Sequence, residues 1–170
     1  MAEAVRSVAL IGFMGAGKSA IGRELAARLK LQRFDTDEMI RGQFGSSIPE
    51  IFARHGEQAF RDAETEVLRN LRHVTANIIV TGGGIVLRDE NVKLLRALGI
   101  IIWLDADEEI LWQRASRQNN RPLLQTANPR QRFSLLLQER LPLYQATADH
   151  RVDTSSACIA DVVDTITKLL

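Results

Sequence analysis

The chain has 170 residues, of which 45% are apolar, and its formal net charge is +1. This length and composition suit one globular domain with a substantial core. The near-zero charge gives no general reason to expect nucleic acid or an anionic membrane surface as a partner.

Cysteine content and hydropathy indicate a cellular compartment. The single cysteine, Cys158, excludes an intrachain disulfide and fits a reducing environment. It falls among the apolar positions of a predicted C-terminal helix, so we expect a buried, unreactive thiol. The N-terminus lacks the basic and long apolar regions of a secretion signal, and no apolar run approaches the ~18 residues of a membrane span. We therefore expect a cytoplasmic protein.

A glycine-rich segment, 12–19, lies between a predicted strand and a predicted helix. Residues 8–11 are continuously apolar, as in a buried strand, and Ile21, Leu25 and Leu29 recur at helical spacing. The segment reads Gly, four residues, then Gly-Lys-Ser, which is typical of a loop whose backbone N–H groups surround a polyphosphate. A glycine-rich connector without function is the alternative, but the flanking strand and helix favour nucleotide binding.

Two residues of this motif carry specific chemistry. Lys18 is placed to reach the β- and γ-phosphates of a nucleotide, and the Ser19 hydroxyl is placed to ligate Mg²⁺.

An acidic segment, 35–38, follows a short candidate strand over 31–34. In an open parallel sheet the ligand crevice lies beyond the carboxyl ends of the strands, so these acids are predicted to lie near the phosphate loop. Alternatively, Thr36 or Asp37 caps the following helix, and both interpretations can hold for different residues of the segment.

The next region predicts one helix that begins near Pro49 and ends at Gly56, followed by a second helix. Arg61 lies early in the second helix and could point towards the crevice, although a solvated arginine is the simpler interpretation. Glu64 falls mostly off the apolar face. A buried strand over 77–81 then runs into three glycines, which either allow the backbone to approach a ligand closely or form a flexible turn.

The second half continues the alternation of strands and helices. Residues 100–104 form another apolar strand, and the pattern favours a doubly wound, mostly parallel sheet. A polar loop over 118–127 is long enough to act as a lid. Asn128 and the proline after it are predicted to cap and begin a helix, and a last strand is predicted over 150–153.

Together these segments resemble shikimate kinases over nearly the whole chain. The matching stretches are GFMGAGKS (12–19), DTDE (35–38), GEQAFRDAE (56–64), TGGG (81–84), RPLL (121–124) and ERLPLY (139–144). The resemblance implies a P-loop NTPase fold of the nucleoside-monophosphate-kinase-like type: a three-layer α/β/α domain with a five-stranded parallel sheet. One domain would span 1–170, with a mobile lid at about 118–128 and a substrate-binding segment at about 35–64.

The resemblance also implies the reaction. ATP, with Mg²⁺, would phosphorylate the 3-hydroxyl of shikimate in chorismate and aromatic amino acid biosynthesis. The protein would be a monomer that binds these small molecules, with no nucleic acid or membrane partner.

Each matching residue takes an implied role. The ATP-binding residues would be Gly15, Ala16, Gly17, Lys18, Ser19, Ala20, Arg114 at the adenine and Arg121 on the lid. The shikimate-binding residues would be Asp37, Arg61, Gly82, Gly83 and Arg140, with the two arginines on the carboxylate and Gly83 acting through its backbone. Catalysis would rest on Lys18, Asp37 and Arg121, with Ser19 and Asp35 at the metal. Asp37 would orient the attacking hydroxyl or accept its proton.

Two departures and three alternatives accompany this interpretation. Ala20 stands where these kinases often carry a second hydroxyl, and 154–159 lacks the Arg and Pro that some members have near the adenine. A gluconate-kinase-like enzyme would share the phosphate loop, and a non-catalytic nucleotide-binding relative would share the fold. A guanine-nucleotide switch is disfavoured because no N-K-x-D string is present.

Overall fold

The computed structural model describes residues 6–74, 76–118 and 121–170. Residues 119 and 120, which fall in the predicted lid, and the first five residues of the predicted domain lie outside the described ranges. The strands are β1 (Ser7–Ile11), β2 (Gln32–Asp35), β3 (Asn77–Val80), β4 (Gly99–Asp105) and β5 (His150–Asp153). The helices are α1 (Lys18–Leu29), α2 (Thr36–Phe44), α3 (Ile48–Leu71), α4 (Asp89–Leu98), α5 (Glu108–Ser116), α6 (Pro129–Thr147) and α7 (Ile159–Leu169).

The five strands form one parallel sheet in the order β2-β3-β1-β4-β5. In the central strand every residue is buried, whichever face its side chain occupies. A strand buried on both faces needs helices on both sides of the sheet. Helices α1 and α7 contact one another, as do α3 and α4. The prediction of a three-layer α/β/α domain with a five-stranded parallel sheet is confirmed.

The topology places the ligand crevice. Strand β1 lies between β3 and β4. The segment after β1 leads into α1, whereas the segment after the neighbouring strand β3 leads towards α4. Loops that leave the carboxyl ends of adjacent strands in this way open a crevice between them. The segments 12–17, 35–37 and 81–84 all follow carboxyl ends of strands, so they meet at this edge.

Helix α3 contains a turn that the sequence indicates correctly. Gly56 has φ 81° and ψ 168°, outside the helical region, so the two predicted helices are joined end to end. The first begins with a reciprocal cap in which the Ser47 backbone N–H donates to Glu50 Oε2 at 2.8 Å.

Two local predictions are wrong, and a third is right only in part. Cys158 is exposed, because α7 begins after it, at Ile159, and leaves the thiol outside the apolar face. Asn128 takes the N-cap position of α6 and the proline after it begins the helix, as predicted, but the Asn128 side chain makes no capping hydrogen bond within the described residues. Glu64, predicted off the apolar face of α3, is fully buried, for a reason that the site explains. Within the described ranges, no helix combines the length and apolarity needed to cross a bilayer.

Gly99 tests the packing of the central strands. A Cβ at this position would lie 1.8 Å from the backbone oxygen of Ser7 in β1, so Gly99→Ala must separate paired backbones. We expect a loss of about 1–3 kcal/mol, or several degrees in Tm. Gly42→Ala is the matched control: an added Cβ in α2 meets nothing within 4 Å, so removing a helical glycine should raise Tm slightly. Thermal unfolding of both variants is the measurement, and equal Tm values would contradict the packing described.

Candidate active site

The phosphate loop connects β1 to the first turn of α1. Gly15 and Gly17 have φ 86° and 89°, which side chains rarely adopt. A Cβ on Gly15 would also lie 2.4 Å from the Leu111 carbonyl oxygen. The loop therefore needs both glycines, and it places the N-terminus of α1 at the crevice, where its N–H groups favour an anion.

Lys18 is the cation of this loop. Its Nζ donates to the carbonyl oxygens of Gly12 at 2.7 Å and Phe13 at 3.0 Å. Burial, with a smaller contribution from the neighbouring Arg121, lowers the pKa of Lys18 to about 8, while Asp37 and Asp35 act in the opposite direction. A phosphate bound in the loop would place a negative charge next to this buried ammonium group.

Asp35 and Ser19 line the same crevice as Lys18. Asp35, rather than Thr36 or Asp37, caps α2: its Oδ1 accepts the N–H groups of Asp37 at 3.1 Å and Glu38 at 3.3 Å. Its Oδ2 accepts from Arg33 at 3.1 Å. The acidic segment therefore serves both the helix and the crevice.

Asp35 and Ser19 are the oxygen donors that Mg²⁺ would meet in this crevice. Both Asp35 oxygens already have partners, so Asp35 fits a role in holding the waters of a metal better than direct coordination. In the part of the chain that the structure describes, no group of three or more His, Cys, Asp or Glu could hold a metal ion. A magnesium ion here would therefore depend on the Ser19 hydroxyl, the nucleotide phosphates and water.

Asp37 lies where two cavities meet. It lines the phosphate crevice together with Lys18, and it lines a second cavity bounded by α3, α6 and the glycines after β3. Its Oδ1 is buried and has no hydrogen-bond partner in the described part of the chain. Burial raises the pKa of Asp37 and Asp35 raises it further, whereas Lys18 and Arg121 lower it. The free carboxylate oxygen is a ready acceptor for a hydroxyl group.

Arg61 forms one wall of the second cavity and is not a solvated helix arginine. Only 7% of it is exposed. Its Nη1 donates to Glu64 Oε2 at 2.7 Å, and its Nη2 donates to Glu57 Oε1 at 2.9 Å. The guanidinium lies over Gly84, where a Cβ would be 2.2 Å from Nη1. The glycine makes room for the arginine.

Glu64 is a site residue that the sequence analysis missed. Its side chain is fully buried and one oxygen pairs with Arg61, while Oε1 has no hydrogen-bond partner within 6–74, 76–118 and 121–170. Burial raises the pKa of Glu64 and the Arg61 cation lowers it. The available signal was the Arg61–Glu64 spacing of three residues, which places both side chains on one helix face.

Arg140 faces the same cavity from α6. It is 3% exposed, and none of the residues that the structure describes pairs with its Nε. Its guanidinium lies 5.6 Å from the centre of the Phe13 ring. The cavity thus holds two buried guanidinium groups, from Arg61 and Arg140, with the Asp37 carboxylate on its boundary.

The described part of the predicted lid packs over both cavities. Arg121 lines each of them and donates to Gln118 Oε1 at 2.7 Å, and its buried Nε has no partner among the described residues. Burial lowers its pKa, and Asp37 opposes that shift. Residues 122–124 form a short 3-10 turn in which Leu124 is buried. The lid arginine therefore lines the same crevice as Asp37 and Lys18, close enough to shift the pKa of each.

Arg114, predicted at the adenine, occupies the far end of the phosphate crevice. It donates to the carbonyl oxygen of Thr154 at 2.8 Å. The Thr154 hydroxyl in turn donates to the Ala16 oxygen at 3.2 Å. Arg114 therefore ties the segment after β5 to the phosphate loop, and its contact with adenine stays a prediction. The remaining predicted positions, Ala20, Gly82 and Gly83, also line the phosphate crevice.

A phosphate loop with a helix N-terminus, next to a cavity with two guanidinium groups and a free carboxylate oxygen, defines a P-loop kinase for a small anionic acceptor. A family model described as shikimate kinase matches residues 14–170. The chain therefore belongs to the shikimate kinase family, and it has that family's nucleoside-monophosphate-kinase-like fold.

Individual shikimate kinases are similar to the chain in sequence and in structure. The chain is 42% identical over 164 residues to a shikimate kinase of Thermodesulfovibrio yellowstonii, covering 96% of this chain and 94% of that protein. It superposes with a TM-score of 0.93 on a shikimate kinase from Acinetobacter baumannii in complex with shikimate, at 38% identity, covering 97% and 92% of the two chains. A gluconokinase from Sinorhizobium meliloti has a TM-score of 0.56 at 15% identity over 94% of this chain and 88% of that one, a likeness in fold alone.

Proposed function

We propose that the protein transfers the γ-phosphoryl group of ATP to the 3-hydroxyl of shikimate, giving ADP and shikimate 3-phosphate. The observation that carries the proposal is the position of Asp37, whose unpartnered Oδ1 lies between the phosphate crevice and the cavity of Arg61 and Arg140. A hydroxyl bound there lies between its acceptor and the phosphate donor.

The nucleotide side supplies positive charge. The loop N–H groups and the N-terminus of α1 bind the β- and γ-phosphates, and Lys18 exchanges its two loop carbonyls for phosphate oxygens. Ser19 would hold Mg²⁺ directly and Asp35 through water. When bound, the ion neutralises negative charge on the phosphates. Arg121 neutralises the transferring group from the lid.

The acceptor side fixes the substrate. Arg61 and Arg140 bind the shikimate carboxylate, and Glu64 and Glu57 hold the Arg61 guanidinium in place. Asp37 accepts the proton of the attacking hydroxyl as the new O–P bond forms and the bond to ADP breaks. A raised pKa brings Asp37 closer to the range in which such a base is effective.

The acceptor is tested by an ADP-coupled assay with shikimate, with gluconate and with no acceptor. We expect turnover with shikimate alone. Equal rates with gluconate would favour the gluconate-kinase-like alternative, and ADP release without an acceptor would indicate transfer to water. Nucleotide binding without turnover on any acceptor would favour a non-catalytic relative.

The proposed reaction requires the lid to move. Arg121 and Leu123 must move away for the two substrates to enter, because Arg121 lines both cavities and Leu123 lines the second one. We expect backbone amides of 121–128 to exchange faster in the free protein than with a non-hydrolysable ATP analogue and shikimate bound. Hydrogen exchange with α7 as an internal reference measures this difference, and equal protection in both states would mean that no lid closes.

The cytoplasmic location and the monomeric state inferred from the sequence stay predictions. Sedimentation of the purified protein measures the second of them.

A further inference from the structure

One buried side chain contacts the acceptor site without lining it. Tyr144 is fully buried on α6, four residues after Arg140, so both side chains lie on the same helix face. Its ring stacks against Trp103 of β4, with centroids 6.0 Å apart and an interplanar angle of 29°. The hydroxyl donates to the carbonyl oxygen of Gly83.

Gly83 has close neighbours on several sides, including the Tyr144 hydroxyl. A Cβ on Gly83 would lie 3.4 Å from the Gly12 oxygen and 3.5 Å from both Arg140 Nη1 and the Tyr144 hydroxyl. The residue is therefore fixed between the phosphate loop and α6, and the only side-chain donor to its carbonyl among the described residues is Tyr144.

The geometry of the peptide extends the effect to Arg61. The carbonyl of Gly83 and the N–H of Gly84 belong to one planar trans peptide, so they point in opposite directions. Holding the carbonyl at Tyr144 also fixes the orientation of Gly84, over which the Arg61 guanidinium lies. The Gly83–Gly84 peptide thus lies between the two arginines.

Resting on the proposed function, we propose that Tyr144 is a positioning residue for the acceptor: its hydroxyl fixes the Gly83–Gly84 peptide, which sets the placement of Arg140 and Arg61 towards one substrate carboxylate. Burial also raises the pKa of Tyr144, although Arg140 opposes the shift. The phenol therefore stays protonated and keeps donating across the range in which the enzyme can work.

Tyr144→Phe removes one oxygen atom and leaves the ring. The half-buried Gly83 carbonyl then loses its side-chain donor, which carries a free-energy cost. If that cost falls on the substrate-bound state, kcat/KM for shikimate drops about 5- to 20-fold, while kcat and the KM for ATP stay within about threefold.

Ser7→Ala is the matched control, because it removes another buried hydroxyl at the opposite end of the sheet. The Ser7 hydroxyl accepts from the Asn77 N–H at 3.3 Å. It should leave the shikimate constants unchanged.

A double-mutant cycle shows whether Tyr144 acts through the arginine. We expect the Tyr144→Phe effect on kcat/KM for shikimate to shrink to less than about twofold when Arg140→Ala is already present. An effect of the same size in both backgrounds would overturn the proposal, as would a Tyr144→Phe variant with a lower Tm and unchanged shikimate constants.

A second measurement needs no substitution. The chain has one tyrosine, so biosynthetic labelling with 3-fluorotyrosine gives a single ¹⁹F resonance from position 144. We expect this resonance to shift when shikimate is added without nucleotide, and no shift at saturating shikimate would overturn the positioning role. A wild-type protein that does not phosphorylate shikimate would refute the proposed function itself, whereas an active wild type with an unaltered Tyr144→Phe variant refutes only this inference.

Discussion

Lys18→Ala is expected to lower kcat at least about 100-fold, equivalent to about 2.7 kcal/mol of transition-state stabilisation. Lys18 is the loop cation at the N-terminus of α1, and among the described residues its Nζ donates only to the carbonyl oxygens of Gly12 and Phe13. In phosphoryl transfer, catalysis depends mainly on alignment and on neutralising the charge of the moving group. Removing this cation therefore affects the transition state more than the ground state.

The measurement is steady-state kinetics with saturating ATP and shikimate. Lys93→Ala is the matched control, since Lys93 is an exposed lysine on α4 away from both cavities, and it should have wild-type kcat. A Lys18→Ala variant that kept more than about a tenth of wild-type kcat, a loss under ~1.4 kcal/mol, would contradict the assignment of the phosphate loop.

Asp37→Asn is expected to lower kcat by about 100-fold or more and to change shikimate affinity by less than about threefold. The amide keeps the shape of the side chain but cannot accept the hydroxyl proton, and general-base catalysis typically contributes about 10²- to 10⁴-fold. The unpartnered Oδ1 and the raised pKa of Asp37 support this role.

Single-turnover rates together with calorimetric binding of shikimate separate the two effects. Asp62→Asn, an exposed aspartate on α3 paired with Arg88, serves as the control and should match wild type in both. If Asp37→Asn instead kept kcat and raised the shikimate Kd, Asp37 would bind the acceptor without acting as its base.

The sequence predicts best those features that one continuous segment of the chain forms. The phosphate loop is one continuous segment, so its glycines and Lys18 could be placed from the order of a strand, a loop and a helix. The sheet followed for the same reason, because buried parallel strands are continuously apolar. Strands β1, β3 and β4 all show this pattern.

The acceptor cavity could not be placed from local pattern, because its parts come from distant segments. Arg61 and Arg140 are 79 positions apart in the sequence, and helical periodicity alone leaves each of them a solvated residue. Only the family resemblance brought them together. Glu64 was missed because helical periodicity predicts that a charged residue is exposed. Here the carboxylate is buried and pairs with Arg61.

Helix ends were the other source of error. Cys158 was expected to be buried because α7 was assumed to include it, but the helix begins one residue later and the thiol is exposed. Asp35 illustrates the opposite case. Its side chain caps α2 and lines the crevice, so the structural and functional interpretations of the acidic segment hold together.

The central claim is that two arginines bind the acceptor carboxylate, and Arg140→Ala tests it with shikimate and with shikimate methyl ester. With shikimate, we expect the KM to rise at least about 30-fold and by clearly more than the KM for ATP, because a buried, charge-assisted contact is lost. Arg61→Ala should behave likewise. The ester presents no carboxylate, so with it the variants should differ from wild type by less than about threefold in kcat/KM. A difference as large with the ester as with shikimate would contradict the arginine clamp.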